Sequence, residues 1–148
     1  MATQEILSPA TKTTIILTTS ADWDPWLFIV KSQAQQAQIW QYIDPSKPTE
    51  PTQPVEPTKP TLQASETEHT PAQLQAHKGA RDDYKTELKK YEEARKYIRN
   101  IANFILTTVA TQHLISIQKS NSVYQYLRAL QRRLAPTDRA KELEATNL

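Results

Sequence analysis

The chain has no cysteine at all and one glycine, Gly79, in 148 residues. Without cysteine there are no disulfides, no thiolate metal sites and no cysteine nucleophile, which fits a reducing compartment and a cytoplasmic protein. A single glycine removes the phosphate-binding loops GxGxxG and GxxxxGK[ST], each of which needs several. It also removes the residue that sheet-rich folds use most in their turns, so helices joined by Ser, Thr, Asn and Pro connections are expected. No apolar run approaches the roughly 20 residues that span a bilayer, and "MATQEILSPATKTT" lacks the basic and apolar regions of a signal peptide, so no membrane partner is expected.

Histidine is also scarce. His69, His77 and His113 never stand at the i,i+4 spacing of a helical zinc site, so neither metal nor cofactor is expected. The carboxylates sit among lysines, as solvated groups do, rather than as an isolated acid/base pair. The expectation is a non-enzyme with no catalytic residues and no small-molecule substrate.

What is present is proline, ten in all. Six of them recur at every third position in "PSKPTEPTQPVEPTKP", from Pro45 to Pro60. That period matches the threefold polyproline II helix, and its fifteen steps would span about 45 Å. The residues from Asp44 to about Thr70 are thereby denied helix and central strand, and read as a stiff, solvated crossover. An alternative is a PxxP ligand for an SH3- or WW-type domain.

Around this crossover the apolar pattern is helical. Ile15, Ile16 and Leu17 suggest a short extended segment that pins the N-terminal arm to the core. Trp26, Ile29, Val30, Ala34, Ala37, Trp40 and Ile43 then form one stripe, opened by Asp22 or Asp24 as N-cap with Pro25 in the first turn. This predicts one helix, or two with a break near Gln35. After the crossover, Thr70, Pro71 and Gln73 make a capping box for a long charged helix with a stripe through Leu74, His77, Tyr84, Leu88, Tyr91, Ile98, Ala102, Ile105 and Val109, expected to kink near Asn100 or Asn103. "TQHLISIQKSNS" reads as a turn region carrying Leu114, Ile115 and Ile117 inward. A helix capped by Ser120 or Ser122 follows, with Val123, Tyr124, Leu127, Leu130 and Leu134 inward and Arg128, Arg132 and Arg133 outward.

The fold class is therefore all-α: a small bundle of about four to six helices with a short extended N-terminal segment and a Pro-rich linker. The boundaries are 1–13 as a flexible arm, 14–143 as one helical domain with 44–69 as its crossover, and 144–148 as a tail. Charge is uneven: residues 1–70 carry 4 basic and 8 acidic side chains, a balance of −4, and residues 71–148 carry 14 and 8, a balance of +6. Arg128, Arg132, Arg133, Arg139 and Lys141, close in sequence, make a candidate assembly or polyanion surface. A nucleic-acid-binding helical module is thus a further alternative.

Taken in order, these elements resemble the Gag proteins of copia-type LTR retrotransposons, fungal ones in particular. The resemblance lies in WxxW at Trp23 and Trp26, IWxYIDP from Ile39 to Pro45 with Trp40, Tyr42 and Ile43, the polar linker, and a closing YxxLxxL helix at Tyr124, Leu127 and Leu130. It covers roughly residues 14–143. It implies an N-terminal capsid domain, a structural protein whose partner is itself in a virus-like particle shell, with RNA contacted indirectly or weakly. Two parts of the family pattern are missing: a second capsid domain, and the zinc knuckle that a cysteine-free chain lacks.

Overall fold

The computed structural model describes residues 14–62 and 69–136. Its regular structure is five helices: α1 (Trp23–Gln36), α2 (Trp40–Ile43), α3 (Pro71–Thr108), α4 (Thr111–Ile117) and α5 (Val123–Leu134). Among the described residues there is no strand, only an isolated parallel bridge between Leu17 and Val109. The all-α expectation holds. Arg139, Lys141, the 1–13 arm and the 144–148 tail lie outside the described residues.

The bridge realises the pinning segment. Leu17 donates its N–H to the Thr108 carbonyl (2.7 Å) and accepts from the Ala110 N–H (2.9 Å), while its side chain is completely buried. A single 3-10 turn, Ser20–Asp22, then leads into α1. Asp22 stands at the α1 N-cap position, but its carboxylate does not cap α1. It reaches back to accept the Thr18 and Thr19 N–H groups at 3.0 and 2.9 Å. Those two backbone donors, Thr19 first, hold the Asp22 carboxyl below its ordinary pKa, because they favour the charged form.

α1 buries Trp23, Trp26, Val30 and Ala34, one stripe at helical spacing. It ends in a Schellman closure: Ile39 N–H donates to Ala34 O (2.9 Å) and Gln38 N–H to Gln35 O (3.0 Å). The left-handed residue this closure requires is Gln38, at φ 61°. The break therefore falls at 37–39, just past Gln35, and turns Ile39 and Ile43 inward.

α3 opens with the expected box: Thr70 Oγ1 accepts from Gln73 N–H (3.1 Å) and Gln73 Oε1 from Thr70 N–H (2.8 Å). It then runs 38 residues unbroken, about 57 Å at 1.5 Å per residue. It is continuous through Asn100 and Asn103, where a kink was expected; an Asn in a helix interior costs only a few tenths of a kcal/mol. Only Ile101, Ile105 and Thr108 of α3 are buried, and Ala94 and Ile98 pack against the core from its margin, so the part of α3 before Ala94 projects past it. Leu74, expected on the inner stripe, is exposed.

The segment 111–117 is a helix, not a turn. Helical spacing sends His113 and Ile117 into the core and leaves Ile115 outside, 73% exposed, where an inward residue was expected. α5 is as read: Ser122 caps it, accepting from Gln125 N–H (3.2 Å), and all five apolar positions are buried. α5 packs on α2, α3 and α4, and α1 packs on α2 and α3, closing one core.

The crossover departs from the solvated reading. Pro51, Pro54, Pro57 and Pro60 are half-buried, whereas Thr52, Val55, Glu56, Thr58 and Lys59 between them are exposed. Pro54 shares a cleft with Tyr91, Arg95 and Ile98, and Pro60 one with Ala76, His77 and Ala80. The prolines thus lie antiparallel along the projecting half of α3. Pro54 to Pro60 spans about 19 Å at polyproline rise.

Candidate functional site

The residues of the three sequence motifs come together in the interior. Trp23 and Trp26 are buried with their rings 5.8 Å apart and tilted by 33°. Val30, Ile43, Leu127 and Leu130 are at most 1% exposed and belong to the same core; Tyr124 is buried beside them. Trp40 and Tyr42 are half-buried at its margin; Ile29, also half-buried, lines a cleft with Ile15, Phe28 and Phe104 instead. Lys31 places its ammonium 5.6 Å from the centre of the Trp40 ring, a cation–π contact that screens the outer face of the indole.

Polar bonds then fasten this core to the crossover and the N-terminal segment. The Trp26 indole N–H donates to Thr108 Oγ1 (2.9 Å), whose own hydroxyl donates to the Phe104 carbonyl (2.7 Å). Tyr124 donates its hydroxyl to the Lys47 carbonyl (2.7 Å), Arg128 one N–H to the Pro45 carbonyl (3.0 Å), and Gln125 its amide to Glu50 Oε1 (3.0 Å). Gln53 turns inward and donates to the Tyr42 and Pro51 carbonyls. The start of the crossover is therefore clamped onto α5 by one face of that helix.

His113, which no sequence spacing singled out, is a second junction. Its Nδ1 accepts from Arg133 Nε–H (2.8 Å), which leaves Nε2 as the donor to the Thr18 carbonyl (2.6 Å). Arg133 is thus exposed but tied to His113, Arg128 is half-buried and tied to the Pro45 carbonyl, and Arg132 is exposed. Arg139 and Lys141, the rest of that predicted surface, lie outside the described residues.

A different set of cations gathers instead. A cleft of about 550 Å³ lies between the crossover, α3 and the start of α5, and contains Arg95, Arg99, Tyr91 and Tyr126. A neighbouring cleft of about 420 Å³ contains Lys119, Arg128 and Arg132, and both share Glu50 and Gln125. Arg99 was missed because its spacing from the α5 arginines is visible only once α3 and α5 are packed together. Among the described residues no group of three His, Asp or Glu side chains is placed to hold a metal ion, and no helix is long and apolar enough to cross a membrane. No protein-family model, curated protein or solved structure matches the chain.

Proposed function

We propose that the chain is a non-enzymatic structural domain that self-associates into a capsid-like shell, as its resemblance to copia-type Gag proteins implies, and that it acts in the cytoplasm. The observation that carries the reading is how the motifs are used. WxxW, IWxYIDP and YxxLxxL are spent on a single joint in which α1, α2 and α5 meet and Tyr124 and Arg128 hold the carbonyls after α2. Motifs that are separated in sequence and invested wholly in one core specify a scaffold, and the activity of a scaffold lies in its outer surfaces. Weak contacts between such domains suffice, because a lattice multiplies them. The adaptor alternative loses support from the half-buried proline edge, which faces α3 rather than a partner's groove.

The test is sedimentation velocity and negative-stain electron microscopy on the purified chain from micromolar to millimolar concentration, with and without a crowding agent. Oligomers and shell fragments that grow with concentration are expected. A sedimentation coefficient that stays monomeric throughout, at low and high salt, would overturn the reading.

A further inference from the structure

The two adjoining clefts hold five cations, Arg95, Arg99, Lys119, Arg128 and Arg132, against one acid, Glu50. Among the described residues the one ion pair is Lys90 with Glu87, which lies elsewhere on α3, so none of the five has a carboxylate partner. Like charges kept together without counter-charges repel, and a fold that only needed solubility would intersperse acids among them. α3 does this elsewhere, with Asp82, Asp83, Glu87, Glu92 and Glu93 among its lysines.

We infer that these two clefts form a binding surface for the phosphates of a single-stranded nucleic acid. The charges come in helical pairs, Arg95 with Arg99 and Arg128 with Arg132, each pair at i,i+4 and so about 5–6 Å apart at Cβ. They line two concavities divided by the Glu50–Gln125 ridge. A flexible strand can dip into one cleft, cross the ridge and enter the next, whereas a rigid duplex presents its phosphates on a convex rod. The Asn121 amide and the ring of Tyr126 supply polar and aromatic surface for bases, while Arg95 lies over the Tyr91 ring, 5.7 Å from its centre, and donates to its hydroxyl. Arg128 spends one N–H on Pro45 and keeps the rest of its five-donor fork. Glu50 is the single opposing charge, and it sits where the strand crosses. It should therefore limit affinity.

Fluorescence anisotropy of a labelled oligouridylate against the full chain tests this. Binding should weaken linearly in log–log salt with a slope of about −3, from four or five contacts at about 0.7 each. The exposed pair Arg99→Glu with Arg132→Glu should lower affinity by about tenfold or more and flatten that slope. Glu50→Gln should raise affinity, and Lys78→Glu with Lys85→Glu, on the far part of α3, should leave it unchanged. Circular dichroism of each variant confirms the fold. Equal binding by wild type and the Arg99/Arg132 variant, stronger binding to duplex than to single strand, or binding of tripolyphosphate without binding of RNA would each overturn the assignment. Particle formation is scored separately without RNA, so loss of one property does not imply loss of the other.

Discussion

Two side chains show how individual residues carry this fold. Thr108 is the acceptor for the wholly buried Trp26 indole N–H and passes the bond on to Phe104. Thr108→Val keeps the shape but leaves that N–H without a partner, so a loss of about 1–3 kcal/mol is expected in urea unfolding. A change within error would show that the indole finds another acceptor. Gln38 sits in the left-handed region in a turn that most helices end with glycine. The strain of roughly 1–2 kcal/mol for a side chain there exceeds the entropy cost of glycine, about 0.5–1 kcal/mol. Gln38→Gly should therefore stabilise the protein by about 0.5–1 kcal/mol and raise the Tm by a few degrees; a fall in Tm would contradict it.

At the scale of elements, the pairing of the polyproline segment with α3 is the unusual construction. The projecting part of α3 has no buried residue before Ile101, and the half-buried line His77, Tyr84, Leu88, Tyr91 and Ile98 follows the proline edge. Replacing Pro51, Pro54 and Pro57 together by Ser frees the unfolded chain and loosens the rod, at about 0.4–1 kcal/mol per proline. Hydrogen exchange should then accelerate over 77–91 and stay slow over 101–134. Uniform acceleration would mean that the prolines support the whole core. Period-three prolines and the helical stripes were legible in the sequence because both follow from local geometry. That the proline edge would turn inward was not, since it depends on packing between two rods far apart in sequence. The helix at 111–117 was missed for a similar reason: its seven residues carry too few apolar positions to show a period, and His113 reads as polar until Thr18 and Arg133 meet it.

For the whole molecule, the −4 and +6 balances of the two parts of the chain do not translate into two poles. Acidic Glu50 from the first part lies inside the cationic clefts of the second, so fold topology mixes what sequence order separates. Attraction between copies still has an electrostatic share, screened beyond about 10 Å at 0.1 M salt. Assembly of the purified chain should accordingly weaken as salt is raised from low to moderate, read by light scattering. A rise with salt would assign the contacts to apolar surface instead. The core residues of the candidate motifs were legible because large apolar groups at helical spacing have few other places to go. The cationic surface was half legible: Arg128 and Arg132 were in view, while Arg99 joins them only through tertiary packing.

The bonds that close the core also fix when it can form. Leu17 meets Thr108 and Ala110, Trp26 meets Thr108, and Tyr124 reaches back to Lys47, contacts separated by 77 residues or more. The large buried groups before the crossover share one core with residues between Ile101 and Leu134. A ribosome delivering this chain from its N-terminus therefore releases the tryptophan helix long before its partners exist. For a helical protein such long-range closure predicts slow folding, and a nascent chain that exposes Trp23 and Trp26 until α5 has emerged.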